Sequence, residues 1–230
     1  EPKMIDLSLI WILIIGLGVL IYVVLDGFDL GIGILFPFIS DRQERDVMMN
    51  TVAPVWDGNE TWMVLGGAGL FAAFPLVYST VLSALYMPII LMVIALIFRG
   101  VAFEFRFKAN KTKHLWDQAF IWGSILSSFL QGVILGAYIQ GIETTNGIYT
   151  GGGLDWLTPF SLFTGLSVVV LYATLGCGWL IFKTEKMLQN RMFELMPKLL
   201  ISLLMIFACV SIYTPLAHPQ IAERWFSQPQ

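Results

Sequence analysis

Charge is scarce in this chain. Of its 230 residues 13% are charged, whereas 57% are hydrophobic. A soluble domain needs charged residues over most of its exterior, so water is excluded as the solvent for much of this surface. Histidine is scarcer still, with only His114 and His218. Cysteine is limited to Cys177 and Cys209, both inside apolar runs, where a free thiol packs as a small hydrophobe. Cys/His spacing of the metal-binding kind is missing, so no metal site is expected. The net charge of −3 excludes the basic surface of a nucleic-acid-binding protein. Walker and dinucleotide-binding motifs are missing too.

What the chain has instead is long apolar runs. A helix crossing the hydrocarbon core needs ~20 such residues. Leu7–Leu25 opens helix 1, which resumes beyond Asp26 and Asp29 to about Ile39. It has neither the basic leader nor the cleavage site of a removable signal, and is expected to span. Thr61–Phe98 holds 38 residues without a charge, too many for one ordinary span. Phe74-Pro75 inside it predicts a tight turn, because proline lacks a donor and disfavours helix in the residue before it. Helix 2 is thus expected over about Thr51–Phe74 and helix 3 over about Val77–Phe107, with Pro54 tolerated in a first turn and Pro88 producing a kink. Helices 4, 5 and 6 follow at about Leu115–Ile142, Trp156–Lys183 and Pro197–Pro215. Gly147–Gly153 reads as an extramembrane loop. The expectation is an all-α membrane protein, a polytopic bundle of about six transmembrane helices in the lipid bilayer.

Three alternate loops and their flanks, around Arg42, Arg106 and Lys183, hold 10 of the 13 Lys and Arg residues. Basic residues stay in the cytoplasm, which predicts an N-terminus outside.

Against this background the charges inside helices 1–3 stand out. Asp26 and Asp29 share one face of helix 1, and Asp57 and Glu60 one face of helix 2, each pair at i,i+3. Helix 3 carries Arg99 and Glu104. At ~1.5 Å per residue, Asp29, Glu60 and Arg99 all lie roughly 12–15 Å in from the basic end. A charge in the hydrocarbon costs ~2.5–3.5 kcal/mol even on the lenient insertion scale, so these groups should face protein or water. They suit an ion-pair network around Arg99, a proton-conducting route or a cation site. Haem iron would need His, Met or Cys ligands. His114 sits beside a basic loop, His218 near the expected outer surface, and the ten Met residues scatter as packing residues, so no axially ligated haem is expected here. Gly31-Ile32-Gly33 and Gly66-Gly67-Ala68-Gly69 should permit close helix packing.

The segments Asp26-Gly27-Phe28-Asp29-Leu30-Gly31-Ile32-Gly33, Pro54-Val55-Trp56-Asp57-Gly58-Asn59-Glu60-Thr61-Trp62, Phe71-Ala72-Ala73-Phe74-Pro75 and Phe98–Arg106 resemble subunit II of cytochrome bd-type quinol oxidases. Glu60 and the short loops look closest to the cyanide-insensitive branch. Such chains form two four-helix bundles. The resemblance implies a first bundle over residues 1–143 and part of a second, two helices with an outer loop, over 144–230, the chain stopping after the sixth helix. It implies a bacterial inner-membrane location and a partner, subunit I, that carries haem b and haem d and oxidises quinol. A small accessory subunit and a bound structural quinone are compatible with it. Subunit II would support subunit I and contribute Asp26, Asp29, Asp57 and Glu60 to a proton route from the cytoplasm. Trp56 and Asn59 would line the route or the subunit interface, with Arg99 and Glu104 as an electrostatic clamp. The competing expectations are a proton- or cation-coupled secondary transporter, with Gly27, Gly31 and Gly33 marking a helix break, and a structural scaffold.

Overall fold

The computed structural model describes residues 6–217 and 219–227. Helix α1 (Leu7–Leu35) starts at Asp6, whose carboxylate accepts from the Ser8 and Leu9 N–H groups. It runs unbroken through Asp26-Gly27-Phe28-Asp29, so the glycines do not interrupt it. A 3-10 turn at Phe36–Phe38, with Pro37 in its first turn, ends the span. The following loop contains a helix not anticipated from sequence, α2 (Arg42–Asn50), capped by Asp41. Helix α3 (Trp56–Ala73) begins five residues later than the expected Thr51. Turns lead up to it, in keeping with the bias of Pro54 against helix at Ala53.

Phe74-Pro75 makes the expected turn, but the next segment is two helices, α4 (Pro75–Ala84) and α5 (Tyr86–Arg106). The break lies at Leu85 rather than at Pro88. Pro88 becomes the third residue of α5, where a missing N–H forfeits no helical hydrogen bond. Helix α6 (Lys113–Gln140) stops at Gly141, whose φ of +95° glycine tolerates best. The expected outer loop contains a two-stranded hairpin, β1 (Thr144–Thr145) and β2 (Ile148–Tyr149), turned by Asn146 and Gly147, both at positive φ. Helix α7 (Pro159–Lys183) is set by a Thr158/Ser161 capping box. Helix α8 (Lys186–Ala217) starts well before the expected Pro197, because Leu188 and Met192 bury against the core and extend it. Helix α9 (Pro219–Phe226) follows.

Five helices, α1, α5, α6, α7 and α8, are long and apolar enough to cross a membrane. Helix α3, which carries Asp57 and Glu60 and is apolar only beyond Thr61, is not among them. The chain is an all-α polytopic membrane protein. Helix α1 is its hub and packs against α3, α6 and α7, while α6 bridges α5 and α7. The character of α1 changes along its length. Most side chains from Leu7 to Leu25 are exposed to the surroundings, whereas Asp26–Leu35 is buried throughout. That burial depends on glycine. A Cβ on Gly31 would strike the backbone of α7 at Tyr172 and Gly176, and one on Gly176 would strike Gly31 in return. Cys177 is buried and donates to the Met192 carbonyl at 3.3 Å. Cys209 is exposed on α8, whose outer face no described helix covers, so it does not pack inside as expected.

Gly31→Ala is expected to cost at least about 1–3 kcal/mol, the usual cost of overpacking, and more where backbone must move. A lower thermal midpoint in detergent would show it. Gly67→Ala, with nothing within 4 Å of the added carbon, should leave the midpoint unchanged.

Candidate functional site

The second half of α1 carries Asp26 and Asp29 to a point where α3 and α5 also present polar groups. Arg99 of α5 is wholly buried at the centre. Its Nη2 pairs with Asp26 Oδ1 and lies 4.0 Å from Asp29 Oδ2, and its Nη1 donates to Glu60 Oε2 at 3.0 Å. Asn59 Nδ2 donates to Asp29 Oδ2 at 2.8 Å. Trp56 and Phe103 stack on each other, with ring centroids 4.9 Å apart, and the Arg99 guanidinium lies 5.5 and 5.6 Å from the two centroids. Gly100 lets the Trp56 ring approach α5, since a Cβ there would meet it at 3.3 Å.

Three carboxyls thus surround one guanidinium. Asp26 Oδ2 and Asp29 Oδ1 are buried without a hydrogen-bond partner among the described residues, as is Arg99 Nε. Such orphaned oxygens are costly in a low-dielectric interior and mark groups able to take a proton or a polar partner. The site also has an edge. The side chain of Glu60 is 23% exposed. It opens, with Asp57 and Trp56, on a groove of about 430 Å³ between α3 and α5. Asp57 is exposed there and makes no ion pair among the described residues.

Of the eight residues singled out in the sequence, Asp26, Asp29, Asn59, Glu60, Arg99 and Trp56 meet in one cluster and Asp57 stands at its rim. Glu104 is elsewhere. It is 65% exposed and pairs with Lys108 at 3.3 Å, so it does not join Arg99.

A second network, unforeseen from sequence, lies nearer the basic end. Arg106, also wholly buried, pairs with Asp117 of α6 and donates to Asp46 of α2 at 2.6 Å. Lys113 adds a bond to Asp46 at 2.9 Å, and Arg45 one to Asp117 at 3.1 Å. Burial works against the charged form of Asp46, but the hydrogen bonds from Lys113 and Arg106 outweigh it and hold the carboxyl below its usual 3.8. The sequence did carry a signal for this network. Arg106 follows Arg99 by seven residues, the same helix face, and Asp117 is a lone acid at the start of an apolar helix.

Among the described residues no group of three or more His, Cys, Asp or Glu could hold a metal ion. His114 is exposed, and His218 lies outside the described residues.

The helix pattern and the acid–arginine cluster define the class: an integral membrane protein with a buried acidic site. The family model for cytochrome bd terminal oxidase subunit II matches residues 7–226, and the chain belongs to that family. It is 34% identical over 197 residues to the cytochrome bd-I ubiquinol oxidase subunit 2 of Escherichia coli (strain K12), covering 80% of this chain and 51% of that one. It is 36% identical over 191 residues to a probable cytochrome oxidase subunit 2 of Haemophilus influenzae, covering 79% and 50%. With the cytochrome bd ubiquinol oxidase subunit 2 of Bacillus subtilis the identity is 33% over 212 residues, covering 89% and 62%. The matches thus span half or a little more of the length of these relatives.

Removing Arg99 strands buried carboxyls, and breaking a buried pair from one side costs about 3–5 kcal/mol. Arg99→Met should therefore lower the thermal midpoint sharply, while Lys108→Met, at an exposed pair, should not move it. A depressed carboxyl pKa stabilises the fold fully above the ordinary value, and the gain is lost as pH falls through the depressed one. Asp46→Asn should accordingly lower the midpoint at neutral pH and flatten its decline below pH 3.8. Thermal melts across pH check both.

Proposed function

We propose that this chain serves as subunit II of a respiratory quinol:oxygen oxidoreductase in a bacterial inner membrane. In this reading it supports a subunit I that holds haem b and haem d and oxidises quinol, and it conducts protons from the cytoplasm toward them. Family membership supports the oxidase over a secondary transporter, as does the unbroken course of α1. The observation that carries the proton route is the Arg99 cluster: three carboxyls against one guanidinium, two of their oxygens buried and unpartnered, and one edge open at Glu60.

The division of labour follows from exposure. Asp57, at the rim of the groove, collects protons from water. Glu60 passes them inward, since it is both partly exposed and bonded to Arg99. Asp29 and Asp26 hold them in the interior. Asn59 orients Asp29, and Arg99 keeps the cluster from becoming wholly neutral. The basic residues at the nearer end support a cytoplasmic position for that end and an N-terminus outside. The apolar groove walls, from Val93 to Val101, suit subunit I, a small accessory subunit or a quinone tail against α3 and α5. Residues 1–143 would form the first bundle of the family and 144–230 part of the second.

In the assembled complex, Asp57→Asn and Glu60→Gln should each lower oxygen consumption by about 10²-fold or less, the lower range for a positioned acid–base group, with haem content unchanged. Normal turnover across pH in both variants would remove the proton route. Loss of all haem would make the residues structural. Failure of the full-length protein to bring down a haem-bearing partner from native membranes would remove the oxidase reading itself.

A further inference from the structure

The acidic cluster does not end at Asp26. One helical turn earlier on the same face of α1 stands Tyr22, which is buried and interacts with Asp26. Across the helix interface, Gln131 of α6 donates from Nε2 to the Tyr22 hydroxyl at 2.8 Å. The Tyr172 hydroxyl of α7 donates in turn to Gln131 Oε1 at 2.7 Å. The ring of Tyr172 rests on Gly27, beside Asp26, where a Cβ would meet it at 2.9 Å. Apolar packing explains none of this, because three polar groups from three helices converge where phenylalanine and leucine would pack without bonding requirements.

The bonds have a direction. Tyr172 donates to the Gln131 carbonyl, so the Gln131 amide group faces Tyr22 and donates to its oxygen. The hydroxyl hydrogen of Tyr22 is then left over. The nearby acceptor lacking a donor is Asp26 Oδ2, whose other oxygen is taken by Arg99. Turning the Gln131 amide by half a rotation reverses every bond: Tyr22 would donate to Gln131, and its hydrogen would be withdrawn from Asp26.

We infer that Tyr172, Gln131 and Tyr22 form a directional hydrogen-bond chain that aims the spare Tyr22 hydroxyl hydrogen at Asp26, one helical turn away, and so positions that carboxyl, whose Oδ2 is unpartnered in this structure, for proton transfer. The polar site thereby extends from α3 and α5, through α1, to α6 and α7. The groups facing Asp26 are then Arg99 from α5, Glu60 from α3, Asp29 and Tyr22 from α1, and Tyr172 from α7. The three are positioning residues, and their effect on turnover rests on the proton route proposed above, whereas the hydrogen-bond chain itself does not.

A double-mutant cycle in the assembled, full-length complex separates the two. Thermal melts of the parent, Tyr22→Phe, Asp26→Asn and the double variant read the coupling between Tyr22 and Asp26. Coupled shifts support the chain, and additive shifts overturn it. Oxygen-consumption rates on the same four proteins read its role. Tyr22→Phe should slow turnover about tenfold, the size of one lost hydrogen bond to a charged group, and displace the pH profile rather than scale it. In the Asp26→Asn background the same change should cost less than about twofold. Tyr172→Phe, which frees Gln131 to turn, should show the same sensitivity to background. Equal turnover losses with and without Asp26 would overturn the positioning role. Coupled melts with normal turnover in Asp26→Asn would overturn the proton route and leave the chain standing.

Discussion

A guanidinium buried among helices fixes this structure. Arg99 has no exposed surface, and arginine remains charged in proteins, so the fold must bring carboxylates to it. Asp26 and Glu60 meet it from two other helices, and Trp56 and Phe103 offer it aromatic faces. The geometry of α1, α3 and α5 answers to that requirement. Close contact of α1 with α7 through Gly31 and Gly176 then fixes α1 from another side.

The requirement is only partly met, and the remainder is where function can enter. A cluster built for stability alone would match charge with charge and leave no oxygen unpaired. Here carboxyls outnumber the guanidinium, and Asp26 and Asp29 each keep one unpartnered oxygen. The Arg106 network is organised differently. Two acids, Asp46 and Asp117, are shared among three basic groups and clamp α2, α5 and α6 at the basic end. Rigid support at one level and unsatisfied acids at the next are what the proposed proton route requires.

Much of this was legible in the sequence. Apolar runs located the spans, Phe74-Pro75 marked a turn, and the matched depths of Asp29, Glu60 and Arg99 anticipated their convergence. Other features were not legible for physical reasons. Leu85, rather than Pro88, carries the break, because proline is harmless in the first turn of a helix and the chain can begin a new helix just ahead of it. Arg99 and Glu104 are five residues apart, roughly 140° around a helix, so proximity in sequence put them on different faces. Arg106 looked like a loop charge because it ends its helix, yet it is as buried as Arg99. Tyr22, Gln131 and Tyr172 escaped notice because uncharged polar groups are unremarkable in a span until their partners are known.

In the function proposed above, buried acids of this chain carry protons to oxygen chemistry housed in a partner. Proton uptake by the complex reads that transfer. The complex would be reconstituted in vesicles with an indicator dye on the basic side, and a pulse of oxygen given to the reduced enzyme. Replacing Asp29 by asparagine, with haem content unchanged, should slow proton uptake from that side in step with oxygen reduction. Uptake as fast as in the parent protein would contradict the account.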